Sequence, residues 1–162
     1  MCRKCELKSK DSCHCHKKDN VVGIWNCNIT PDIPNELARP ETLTFHPDGL
    51  MTHKCIDKLP SGQMPSGLYG DLSSGLWKKV CKNKYEGVSV KANAKMSNPE
   101  LCCPAERFSL TRVTFTITIS KCDKNKATVK GVLEAWPWDD ICFKTAPLIS
   151  FNFAGDACRL KF

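Results

Sequence analysis

No segment of the chain comes near the roughly 18 uninterrupted apolar residues that a membrane-crossing helix needs, and almost none carries an apolar repeat of helical period. Histidine is scarce, four in 162 residues. Two of the four, His14 and His16, precede the part that reads as folded, leaving His46 and His53 in the body. Gly-x-Ser-x-Gly, His-Glu-x-x-His and Gly-rich phosphate loops are missing, which argues against esterase, zinc-protease and nucleotide chemistry. Asp139-Asp140 sits in a turn beside tryptophans and reads as a solvated turn rather than an acid/base pair. The expectation is a protein that is not an enzyme. The basic start, Met1-Cys2-Arg3-Lys4-Cys5, leads into no apolar stretch. A secretory signal is therefore not read, and the chain is expected to be made in the cytoplasm unless a leader has been removed.

Cysteine is what the chain has in excess, with 12 residues. Cys2, Cys5, Cys13 and Cys15 fall in the first twenty residues. Cys27, Cys55, Cys81, Cys102, Cys103, Cys122, Cys142 and Cys158 fall in the body. Cytosolic proteins that make no use of their thiols seldom keep so many. Metal binding would reconcile the count with a cytosolic origin, and so would assembly into a particle, such as a large virion, that later meets an oxidising exterior. In the arm, Cys2, Cys5, Cys13 and Cys15 with His14 and His16 are plausible zinc ligands, since thiolate and imidazole are the donors that zinc prefers. Disulfides and free thiols are the competing readings. The vicinal Cys102-Cys103 pair is expected to have separate partners or none, because a ring closed between neighbours is strained.

The net charge of +7 is unevenly spread. Residues 1–18 hold Arg3, Lys4, Lys8, Lys10, Lys17 and Lys18 against Glu6 and Asp11. Such an arm suits an anionic surface, nucleic acid or an acidic protein face, the alternative being a solvated tail. It has no aromatic residue between its lysines, so base stacking is unavailable and only phosphate contact would remain.

Residues 1–20 show no apolar period and read as an arm; residues 21–162 break into short β-type segments divided by turn residues. Val21 to Ile29 is the first, ended by Pro31 and Pro34. Residues 41–55 form a hairpin about Pro47-Asp48-Gly49, and residues 57–75, rich in Gly, Ser and Pro, read as a loop. A second hairpin joins 75–81 to 84–91. Phe108 to Ser120 is the longest strand, with a bulge or bend expected near Thr111-Arg112 where the apolar phase flips. Ala127 to Trp136 follows. A last hairpin is expected to run from Leu148 to Phe153, turn at Ala154-Gly155-Asp156, and return through Cys158 and Leu160. The fold class is all-β, an antiparallel up-and-down meander barrel of about eight strands.

Gly23-Ile24-Trp25 on the first strand, followed by such a meander, resembles the lipocalins and the wider calycin group. The run Leu43 to Gly49, then Gly75-Leu76-Trp77-Lys78 and Tyr85, is similar to small lipocalin-like proteins. The resemblance implies that Gly23 and Trp25 are structural, with Trp25 closing the barrel floor and Arg159 lying across its indole. A Thr-Asp-Tyr element and a C-terminal helix, both expected of lipocalins, are missing. The group's usual task implies a carrier of a small hydrophobic ligand lined by Phe45, Trp77, Tyr85, Phe115 and Phe151, unless those side chains fill the interior. The reading favoured by the residues themselves is a structural or interaction protein, a stapled barrel docking among other proteins of an assembly through its basic arm. The ligand carrier is the alternative.

Overall fold

A computed structural model describes residues 21–55, 68–70, 73–95 and 106–161. The strands are β1 (Gly23–Pro31), β2 (Arg39–Phe45), β3 (Leu50–Cys55), β4 (Leu68–Gly70), β5 (Ser73–Cys81), β6 (Lys84–Lys95), β7 (Glu106–Ile119), β8 (Lys126–Pro137) and β9 (Ile149–Arg159). All pairings are antiparallel, in the order β4-β6-β5-β3-β2-β1-β9-β8-β7, and β7 also pairs with β6. That last pairing closes the sheet on itself. β4 meets β6 at Gly70↔Asn93 and β5 meets it at Ser74↔Val90, so the two share one lane. The result is the expected eight-stranded up-and-down barrel, which leaves no long edge exposed.

Period-two alternation decides which side chains enter the barrel. Trp25, Cys27 and Ile29, Leu43 and Phe45, and Val113, Phe115, Ile117 and Ile119 are all buried, while the residues between them are not. Phe115 lies in register between Gly87 and Gly131. A Cβ at Gly87 would come within 2.4 Å of the Phe115 ring, and one at Gly131 within 2.4 Å of Phe153. The two glycines make the room that the two rings occupy.

Three local expectations are corrected. The loop at 57–75 gives way to β4 and the start of β5, which pairs with β3 from His53↔Ser73. Ala154-Gly155-Asp156 is no turn: β9 runs unbroken from Ile149 to Arg159. Gly155 pairs with Ile29 on one side and Val129 on the other, and a Cβ there would stand 2.1 Å from the Asn28 carbonyl oxygen. It is a glycine of close strand approach. No bulge occurs at Thr111-Arg112, since the β7–β8 register is continuous from Ser109↔Pro137 to Ile119↔Ala127. The irregularity lies between Asn93 and Ala94, whose β7 partners step from Ser109 to Arg107. The inward phase of β7 does not flip to Leu110. It continues through Thr111 and Ser109, both buried.

Candidate functional site

One end of the barrel is shut. Trp25 is fully buried, and its Nε1 donates to the Val21 carbonyl at 2.8 Å. Arg159 is the register partner of Trp25, and its guanidinium carbon lies 4.6 Å from the indole centroid. Burial lowers the Arg159 pKa, and its Nε and one terminal nitrogen have no hydrogen-bond partner among the described residues. The ring face is the contact that compensates this charge. Gly23 (φ 132°) precedes them in a conformation that suits glycine alone.

The next layer is aromatic. Phe45 meets Trp77 edge-on at 6.0 Å and Phe115 at 6.2 Å, and Trp77 meets Tyr85 at 5.8 Å. Phe45, Tyr85 and Phe115 are buried, and Trp77 is partly buried with Nε1 donating to the His46 carbonyl at 2.9 Å. Four of the five residues expected to line a ligand cavity therefore pack on one another. The fifth, Phe151, stands apart on β9 opposite Leu133.

Beyond that layer the inward positions change character. Going from the Trp25 end, β2 passes from Leu43 to Glu41 and Arg39, and β3 from Met51 to His53. β6 passes from Tyr85 and Gly87 to Ser89, Lys91 and Asn93, and β7 from Val113 to Thr111 and Ser109. Ser73 faces His53 across β3 and β5. His53, Ser73, Ser89, Ser109 and Thr111 are buried. Across the lumen, β8, β9 and β1 present Leu133, Ala135, Phe151, Phe153, Ile29 and Cys27. The half of the barrel away from Trp25 is thus two-faced, with one polar wall and one apolar wall.

The polar wall is partly self-satisfied. His53 Nε2 lies 2.8 Å from Glu41 Oε2, with their side chains 4% and 11% exposed. Ser89 Oγ is 3.5 Å from His53 Nδ1. Asn93 Nδ2 donates to Ser109 Oγ at 3.0 Å and to Thr111 Oγ1 at 2.6 Å. Ser73 Oγ and Arg39 Nε are buried and have no hydrogen-bond partner among the described residues. A buried polar group left so costs about 1–3 kcal/mol. Cys27 adds no nucleophile: burial first, then the Glu41 and Cys158 charges, push its thiol up to about 12, and a neutral thiol is unreactive.

The zinc assignment to Cys2, Cys5, Cys13, Cys15, His14 and His16 lies outside the described residues. Cys27, Cys81, Cys122, Cys142 and Cys158 are free thiols, so the expected stapling of the body does not extend to these five. Cys27 and Cys158 sit on adjacent strands, but their side chains leave opposite faces, one buried and one exposed. Among the described residues no cluster of His, Cys, Asp or Glu could hold a metal. No helix there is long and apolar enough to cross a membrane. Sequence reasoning missed the polar wall because it followed only apolar alternation. The signal was present, since several strands turn polar in unbroken inward phase toward the same end.

The fold and site define a closed eight-stranded antiparallel barrel with a tryptophan floor and a two-faced half away from it. No family model matches the sequence, and no curated protein matches it. A solved structure, EF1p2_mFAP2b bound to DFHBI, is similar over 87% of this chain and 94% of that one, at 8% identity and a TM-score of 0.31.

Proposed function

We propose that the protein is a calycin-type, non-catalytic binding barrel that receives a small amphipathic ligand in the half away from Trp25. Its polar group would face Ser73, Arg39 and the His53–Glu41 pair, and its apolar face would rest on Leu133, Phe151 and Phe153. The observation that carries this reading is the two-faced lumen, with Ser73 Oγ and Arg39 Nε buried on its polar wall and without a hydrogen-bond partner among the described residues. A barrel that only had to be stable would place apolar side chains there. The arrangement also alters the ligand expected of a lipocalin-like carrier. A wholly hydrophobic molecule would strand the polar wall, whereas a carboxylate or alcohol on an apolar body matches both walls. The test is thermal melting and tryptophan fluorescence with decanoate, decanol and decane. Decanoate or decanol should raise Tm, decane should not, and the double variant R39M/S73A should weaken binding about tenfold, near 1.4 kcal/mol. Identical melting and fluorescence with all three would refute the reading.

A second reading, the structural or assembly module, draws support from the outer wall. Leu50, Leu76 and Val88 are successive register partners on β3, β5 and β6, and are 50%, 59% and 38% exposed. A contiguous exposed apolar row suits contact with another protein, including one in a virus particle. Deleting residues 1–18 should leave the barrel folded and abolish its association. Undiminished association would rule out docking through the arm. Zinc in the arm rests on ligand chemistry alone, and elemental analysis beside reduced and unreduced intact mass decides it.

A further inference from the structure

Six lysines gather at one end of the barrel, which also carries Asp48 and Asp123 on its turns. At the Trp25 end, Lys82 and Lys84 flank the β5–β6 turn, Lys121, Lys124 and Lys126 lie on the β7–β8 turn, and Lys161 follows β9. All are exposed except Lys84, which is half-buried. Backbone hydrogen bonds tie these segments side by side. Ile119 N donates to the Asn83 carbonyl at 2.8 Å, and Arg159 N donates to the Asn125 carbonyl at 2.9 Å. The lysines therefore form one contiguous crown. No described carboxylate is within ion-pair distance of any of the six. Asp123 Oδ1 instead accepts from Asn125 N at 2.9 Å within its turn. The far end carries Asp32 and Glu36 on the β1–β2 loop and Asp139, Asp140 and Lys144 on the β8–β9 loop.

Two further observations fall at the lysine end. Beside the crown lies an open depression of about 400 Å³, lined in part by the hydroxyl residues Thr118, Ser120 and Thr128, by Lys121 and Lys126, and by the carboxylate Asp156. Hydroxyls and ammonium groups are the donors that phosphate oxygens accept from. The chain also enters the barrel here, since Val21 lies against Trp25, so the basic residues Arg3 to Lys18 precede this end in sequence.

We infer that the closed end of the barrel is a docking surface for the phosphate backbone of duplex nucleic acid. Charge complementarity selects a polyanion. No Trp, Tyr or Phe is among the exposed large hydrophobic side chains of the described residues. Among the described residues, neither base stacking on a single strand nor aromatic anchoring in a bilayer has a platform at this end. What remains is sequence-independent contact with phosphates from lysines on short, hydrogen-bonded turns. Its affinity falls steeply with salt, because each phosphate neutralised releases condensed counterions.

The test uses the full chain and a fluorescein-labelled mixed-sequence DNA duplex of roughly 30 base pairs, read by anisotropy between about 50 and about 200 mM salt. The expected result is binding whose log–log salt slope falls by roughly 2–3 in K121Q/K124Q/K126Q, about 0.9 per lost phosphate contact. Affinity at the lower salt should fall at least about tenfold. The arginine counterpart K121R/K124R/K126R should retain binding, and K144Q, at the opposite end, should be unaffected. Circular dichroism and melting establish that each variant is folded. A triple glutamine variant that binds like the parent would overturn the inference, placing any contact in the arm. So would capture by phosphatidylserine vesicles with no binding to the duplex, which would make the crown a membrane contact.

Discussion

Arg159 and Trp25 are register partners on neighbouring strands, and the guanidinium of one covers the indole of the other at 4.6 Å. The pair closes the barrel because antiparallel partners project from the same face. The indole supplies the apolar mass and the arginine the lid. Trp25→Ala should cost about 3–5 kcal/mol, as expected for a large core aromatic. Arg159→Met, which keeps much of the apolar stem, should cost about 0.5–2 kcal/mol, the value of a partly desolvated cation–π contact. Urea unfolding midpoints at constant slope measure both.

The glycines flanking Phe115 are a packing device with a sharp prediction. Gly87→Ala places a methyl group 2.4 Å from the Phe115 ring, and overpacking of this kind typically costs about 1–3 kcal/mol. In the double variant G87A/F115L the smaller side chain should recover part of that loss. A double-mutant cycle with no coupling would show that the ring yields without cost.

Ser73 gives a prediction of opposite sign. Its hydroxyl is buried without a hydrogen-bond partner among the described residues, so Ser73→Ala should leave the unliganded protein equally or more stable, by up to about 1 kcal/mol. A clear fall in Tm would reveal a partner for this hydroxyl and remove it from the ligand wall.

Cys27 ties stability to alkaline pH. Its folded pKa, near 12, stands above the ordinary value of 9.0 because burial disfavours the thiolate. A raised pKa contributes stability that is complete below the unfolded value and is lost as pH rises toward the folded one. Between pH 9 and 12 the Cys27 contribution should therefore decline, by roughly 1.4 kcal/mol per unit at most. Cys27→Ala should flatten that part of the profile. At neutral pH, iodoacetamide should label the exposed Cys81, Cys122, Cys142 and Cys158 and spare Cys27 until the protein unfolds.

The β8–β9 loop is held by one carboxylate. Asp140 accepts from the Lys144 and Thr145 amides and from the Thr145 hydroxyl at 2.7–2.9 Å. Those hydrogen bonds lower its pKa. The clasp is formed above the ordinary carboxylate pKa and is released as pH falls through the depressed folded value. Asp140→Ala should accelerate hydrogen exchange at Lys144 and Thr145 at neutral pH, with core strands unchanged. Unaltered exchange at those two amides would remove Asp140 as the clasp.

The sequence by itself determined that the chain forms strands and broadly where they lie. Alternation along Val113 to Ile119, the Pro47-Asp48-Gly49 turn and Gly23-Ile24-Trp25 are local signals, written in neighbouring residues. The placement of Arg159 was likewise legible, through resemblance. The tertiary structure alone decided what Gly155 is for, because a glycine needed for close strand approach and one needed for a turn look alike in a chain. It decided, too, that Phe45, Trp77, Tyr85 and Phe115 meet one another edge to face in one layer. Arg39, Glu41, His53, Ser73 and Ser89 are scattered over four strands. The β2–β3, β3–β5 and β5–β6 pairings gather these side chains into one wall, and the closing pairing of β7 with β6 adds Thr111 and Ser109 to it, since cross-strand register is a non-local choice that brings distant residues together.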